Sequence, residues 1–172
     1  MLCSLEIEPA EGPMPERLAY WVAAAYGEGK SVDCFDYIPS CPRVLYGYLQ
    51  VIPARSYCEW GSGMGIGVGL ATALRMNATG VEANAELASK SQALLNRFEL
   101  SATIHHGDYH ESDAIAEAVY VYCWPGQVNQ VKERFERIAP HASWLLLADG
   151  AESIQVFFQK GSPPIDQAEC KP

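Results

Sequence analysis

The feature that most constrains this chain is an alternation. Short apolar runs of strand length recur between residues 56 and 159, separated by segments with helical periodicity. Residues 56–60, 78–82, 102–106, 118–123, 144–148 and 154–159 read as strands, the fourth of them rich in β-branched and aromatic side chains. Residues 66–74 and 128–138 read as helices, and Asn84 is a good N-cap for another running to about Phe98. Strands this apolar must be covered on both faces, and parallel neighbours need helical crossovers, so the pattern describes a doubly wound, mostly parallel α/β sheet. The last run follows the one before too closely for a crossover helix, so an antiparallel final strand is expected.

Ahead of this region the signals are weaker. Up to about Gly12 there is no clear periodicity, and loose order is expected. A helix is expected from Pro15 to a stop at Gly27, then a loop over residues 29–40 and a second short helix over 42–50. With 172 residues and no repeat or linker, the chain reads as one domain spanning 1–172, a helical segment (1–50) preceding a core sheet (51–160).

Composition narrows the partners. Hydrophobic residues make up 49% and charged residues 19%, a globular profile. The net charge is −9 with no basic stripe, which argues against nucleic acid and suits a small molecule or a basic protein segment. The longest apolar run, residues 18–26, is too short to span a bilayer, and Glu6, Glu8, Glu11 and Glu16 precede it where a secretory signal would carry positive charge. The six cysteines form no CxxC pair and no zinc-like grouping with histidine, so free thiols, a cytoplasmic location and no metal are expected.

Chemistry concentrates at the exit of the first core strand, in Glu59-Trp60-Gly61-Ser62-Gly63-Met64-Gly65. In such sheets ligands sit beyond the carboxyl ends of the strands, where glycines let the backbone turn sharply and approach them. Glycine-rich turns also occur without ligands, so spacing matters. Glu82 ends the next strand about 20 residues after Gly61, where an acid reaches a ribose hydroxyl, and Asp108 follows the third strand. A dinucleotide would require G-x-G-x-x-G/A, and Ile66 and Val68 occupy the third position in either register. A pyrophosphate gains nothing from Glu59, whereas a cofactor carrying an amino group and a sulfonium does.

This constellation resembles the first three motifs of class I S-adenosylmethionine-dependent methyltransferases, over residues 35–149. The resemblance implies a Rossmann-like fold and S-adenosylmethionine as cofactor. It implies that Glu59, Gly61, Ser62, Gly63 and Gly65 lie along the methionine part, that Glu82 takes both ribose hydroxyls, that Asp108 accepts from the adenine amino group and that Tyr109 flanks the ring. Tyr37-Ile38-Pro39-Ser40 and the run from Val119 into Trp124-Pro125 are similar to the small protein-lysine methyltransferases, which implies Tyr37 and Trp124 beside the reacting methyl group. Two departures stand out. Trp60 is bulky where the family has a small aliphatic residue, and Cys123-Trp124-Pro125-Gly126 lacks the Asn/Asp-Pro-Pro element of base and glutamine amino-methyltransferases.

His105 and His106 offer a general base, although a strand-end pair is the plainer reading. Tyr120 and Tyr122 alternate with Val119 and Val121, so one of these two pairs packs within the sheet. Methyl transfer from a sulfonium needs alignment and desolvation more than a catalytic triad. The sequence therefore reads as a methyltransferase acting on a protein lysine or other amine. Two rivals stand beside it: a non-catalytic S-adenosylmethionine-binding regulatory or partner protein, and an NAD(P)-dependent oxidoreductase. The C-terminal strands look abbreviated, so a homo-oligomer completing the acceptor pocket is a further expectation.

Overall fold

The computed structural model describes residues 1–34, 41–150 and 153–160. In chain order these form β1 (Leu2–Leu5), α1 (Glu16–Gly29), α2 (Pro42–Val51), β2 (Ser56–Trp60), α3 (Ile66–Ala73), β3 (Asn77–Glu82), α4 (Ala85–Arg97), β4 (Thr103–His106), β5 (Ala118–Tyr122), α5 (Val128–Ile138), β6 (Trp144–Ala148) and β7 (Ile154–Gln159). The strands make one sheet in the order β1-β7-β6-β5-β2-β3-β4. The central strands β2 to β6 run parallel, and β7 is antiparallel to both of its neighbours. This is the doubly wound, mostly parallel sheet that the alternation implies.

The N-terminus departs from the sequence reading. Instead of loose order, Leu2–Leu5 form an edge strand, with Leu2 opposite Gln159 and Leu5 opposite Val156. Four residues are too few to show a period, and the partner strand lies at the other end of the chain. The Leu2 amide also donates to Glu136 Oε1 at 2.7 Å. The sheet thus takes in residues ahead of 51–160. Helix α1 runs through Gly27 to Gly29, because Gly27 keeps a negative φ and makes no left-handed cap.

Side chains of the central strands alternate strictly between two cores. Tyr57, Ala118, Tyr120, Leu146, Ala148 and Val156 point to the face covered by α1 to α4. Cys58, Trp60, Val119, Val121, Leu145 and Leu147 point to the other face, covered by Val131 and Phe135 of α5. The period of two therefore assigns Glu59 to the same face as Tyr57, beneath α3.

Helix α3 has glycine where its neighbours come closest. A Cβ on Gly67 would lie 2.4 Å from Tyr57 Oη, and one on Gly69 would lie 2.4 Å from the Trp21 ring. Trp21 is only 1% exposed and has Phe98 against its edge at 5.3 Å, so it has nowhere to retreat. Alanine at Gly69 would gain about 1 kcal/mol of helix propensity. Overpacking costs about 1–3 kcal/mol and more when the neighbour is fixed. We expect Gly69→Ala to lower the melting temperature measured by circular dichroism, by roughly 2–4 °C per kcal/mol lost. An unchanged or higher value would mean that Trp21 repacks freely.

Candidate functional site

Strand order reverses between β2 and β5: β3 and β4 continue on one side, β6 and β7 on the other. Ligands of open α/β sheets bind at such a point, beyond the carboxyl ends. The segment from Gly61 to Gly65 crosses it. The Gly61 and Ser62 amides both donate to the Val81 carbonyl at 2.9 Å, which turns the chain off β2 across the end of β3. Gly61, Gly63 and Gly65 have φ of 74°, 52° and 69°, a left-handed conformation that other residues adopt only at a cost.

A cavity of about 630 Å³ opens over this turn, within the range of small-molecule sites. Glu59, Gly61, Ser62, Gly63, Glu82 and Asp108 line it, together with Tyr109 and Trp124. Gly65 lies just outside the lining, packed toward Ile104, Ser91 and Leu95. Tyr37 lies outside the described residues.

Glu82 ends β3 and is 8% exposed. Its Oε2 accepts from the Gly63 amide at 2.7 Å and its Oε1 from the Asn84 amide at 2.8 Å. The carboxylate is thus fixed at the cavity edge by two charge-assisted bonds, with lone pairs left over for a ligand hydroxyl. Asp108 accepts from the His110 amide at 2.8 Å, closing a turn after β4. The Ser62 hydroxyl is buried at the cavity wall without a hydrogen-bond partner among the described residues.

Trp60, the bulky departure from the pattern this sequence resembles, does not line the cavity but stands behind Tyr109, which does. Its indole stacks on Tyr109 with centroids 5.5 Å apart and planes 7° apart, and its Nε1 donates to the Ala114 carbonyl at 2.9 Å. Burial, with Cys123 and Asp108 nearby, pushes the Tyr109 hydroxyl up to about 12, so the ring stays neutral. A small aliphatic residue at position 60 would leave Tyr109 without this platform.

Other lining residues were not picked out by spacing. Cys34, His110, Gln127 and Tyr122 border the cavity, although alternation along the strand marks Tyr122 only as a candidate for packing. Tyr122 meets Trp124 edge-on at 6.3 Å, and Trp124 is 48% exposed at the rim. His105 and His106 are exposed and not part of the lining; the His106 ring sits 3.2 Å from the Ala83 carbonyl. His110 was missed because its loop has no periodic signal. Of the cysteines, Cys58 and Cys123 are buried free thiols, and burial raises both above the ordinary thiol value. Among the described residues no group of three or more His, Cys, Asp or Glu could hold a metal, and no helix is long and apolar enough to cross a membrane.

Glu59 is only 4% exposed and accepts from the Val68 amide at 3.0 Å, under the first turn of α3. Desolvation pushes its carboxyl from 4.5 up to about 8; the Val68 and Gly67 amides oppose this, and Glu82 adds to it. A carboxyl raised on folding favours the folded state below its unfolded value and loses that contribution as pH rises toward the folded one. We therefore expect Glu59→Gln, which retains an acceptor for Val68, to stabilise the protein increasingly between pH 5 and pH 8. The gain at the upper end should be on the order of 4 kcal/mol. Denaturant titrations of both proteins across that range measure it, and a difference that does not change with pH would rule out the buried acid as its cause.

No protein-family model and no curated protein sequence matches this chain. Solved structures do match it in fold. An O-methyltransferase of Streptomyces achromogenes involved in tomaymycin synthesis, solved with S-adenosylmethionine, has a TM-score of 0.62 at 14% identity, over 78% of this chain and 66% of that one. A methyltransferase from Geobacter sulfurreducens has a TM-score of 0.63 at 12% identity, over 87% of this chain and 91% of its own. An RNA methyltransferase from Salinibacter ruber, in complex with S-adenosylhomocysteine, has 0.56 at 15% identity, over 92% of this chain and all 100% of that one. At these identities the likeness is one of fold: this chain has the Rossmann-like fold that these methyltransferases share.

Proposed function

We propose that this chain binds S-adenosylmethionine in the cavity over the glycine turn and transfers its methyl group to an amine, either a protein lysine or a small basic molecule. The observation that carries this reading is Glu82. A buried carboxylate at the end of β3, held by Gly63 and Asn84 at the rim of a ligand-sized cavity, is placed to take a ribose. The solved structures of like fold that contain S-adenosylmethionine or S-adenosylhomocysteine support the same ligand.

The remaining lining fits that molecule. Glu59 offers a carboxyl to a cationic amino group, and Asp108 with Tyr109 offers an acceptor and a ring face to adenine. A dinucleotide would bring its pyrophosphate beside the Glu82 and Asp108 carboxylates, which like charge disfavours. S-adenosylmethionine supplies a methyl group already activated for displacement. The protein aligns the acceptor nitrogen in line with it and excludes water, roles suited to Trp124 and to Tyr37. Aromatic faces stabilise a nearby cationic centre by about 0.5–2 kcal/mol. The net charge of −9 favours a basic acceptor. The end of β5 carries Cys123 and Trp124 with no acid, which is what keeps binding without catalysis as the rival reading.

Glu82→Gln should weaken S-adenosylhomocysteine binding by about 1.5–3 kcal/mol, and Asp108→Ala by less, since ring stacking survives. Gly63→Val should be harsher than either, because its φ of 52° is strained for a β-branched residue. Isothermal titration calorimetry reads all three; parent-like affinity in Glu82→Gln would remove the ribose assignment. Catalysis is tested by tritiated methyl transfer into a lysate of cells lacking the protein. Label in the protein fraction, lost in Trp124→Ala and Tyr37→Ala while calorimetric affinity persists, is the expected result. Cofactor binding with no label in protein, nucleic acid or small-molecule fractions would leave a binding protein.

A further inference from the structure

Beside the cavity lies a smaller recess of about 170 Å³, lined by His110, Gln130, Glu133, Arg134 and Arg137. Its local charge is opposite to that of the chain as a whole: two guanidiniums face one carboxylate, that of the exposed Glu133. The unusual member is Arg134. It is only 7% exposed, makes no ion pair among the described residues, and its Nε is buried without a hydrogen-bond partner. Its Nη2 donates to the Ser112 carbonyl, and its guanidinium carbon lies 5.6 Å from the Trp60 ring centroid. A carbonyl and a ring face do not replace a counter-ion for a buried charge, whose desolvation remains several kcal/mol. An arginine so placed is the group that pairs with phosphate or carboxylate oxygens.

We propose that this recess is an oxyanion-binding site, taking a phosphate or carboxylate group between Arg134, Arg137 and His110. The volume admits such a group but not a nucleoside, so the site is distinct from the larger cavity. The two share His110 on their walls. His110 stands 4.2 Å from the Tyr109 ring, Tyr109 stacks on Trp60, and Trp60 lies against Arg134. One run of rings thus links the shared wall at His110 to Arg134. The inference does not depend on which cofactor the cavity takes.

The test uses the full chain at low ionic strength, with inorganic phosphate as probe and acetate in a parallel arm. Calorimetry should give saturable binding with one site per chain. The Arg134 side-chain Nε–H resonance should shift along the same isotherm. Arg137 is exposed, so Arg137→Gln should fold as the parent does and weaken phosphate binding at least fivefold; Arg134→Gln should abolish it. Tighter phosphate than acetate binding assigns a phosphoryl ligand, the reverse a carboxylate, and either supports the site. No saturable binding of either anion overturns it, as does equal affinity in the parent and Arg137→Gln with the Arg134 resonance unmoved. Should Arg134→Gln fail to fold, Arg137→Gln and the resonance decide alone.

Discussion

Two acceptors at the end of β3 organise the whole cavity-bearing edge of this protein. The Val81 carbonyl receives the Gly61 and Ser62 amides, and one residue later the Glu82 carboxylate receives Gly63 on one oxygen and Asn84 on the other. Asn84 in turn caps α4, its Oδ1 accepting from Glu86 and Leu87 at 3.0 Å. The glycine turn, the acid and the start of α4 are therefore one hydrogen-bonded unit. Gly80 makes room for it, since a Cβ there would stand 2.7 Å from that of Ser62. A buried carboxylate is tolerable because both its oxygens have charge-assisted partners.

The parallel core was legible because its physics is local. A strand buried on both faces is mostly apolar, and β2, β6 and β7 have the boundaries their runs imply, although β2 carries Glu59 and β7 carries Gln155 and Gln159. Asn84 was legible as a cap for the same kind of reason, the side chain answering its own helix. What stayed hidden depends on distant neighbours. Leu2–Leu5 becomes a strand only because β7 offers it an edge, and Trp60 is accommodated only because Tyr109, Phe135 and the Ala114 carbonyl surround it. At the site, spacing located the turn and its acids, but the surroundings of Glu59 and the wall formed by His110 follow from helix and loop packing. For Tyr37 and its neighbours only the sequence speaks.

Net charge proved a poor guide to local field. The chain carries −9, and acids line the cavity as that figure suggests. Yet the recess beyond Tyr109 is basic, because α5 presents Arg134 and Arg137, one turn apart, on the same side. The sum of charges governs solubility and long-range steering, whereas a bound group answers to the few charges within a Debye length, about 8–10 Å.

The glycines between Gly61 and Gly69 divide into two sets with different physical tasks. The first three adopt positive φ and make the turn; Gly67 and Gly69 keep helical geometry and serve by lacking a Cβ where Tyr57, Glu59 and Trp21 press against α3. The second set is what allows an acid to lie under the helix at all. Any side chain at Gly67 would meet Glu59 at 2.8 Å, so helix, acid and glycine are mutually dependent. That dependence carries a thermodynamic consequence. Glu59 is held where its ionised form is disfavoured, and a hydrophobic residue would pack there without that cost. A cationic ligand in the adjoining cavity would reverse the balance, drawing Glu59 toward its ionised state as it binds. The cost of ionising Glu59 in the free protein would be offset in any complex that brings positive charge beside it.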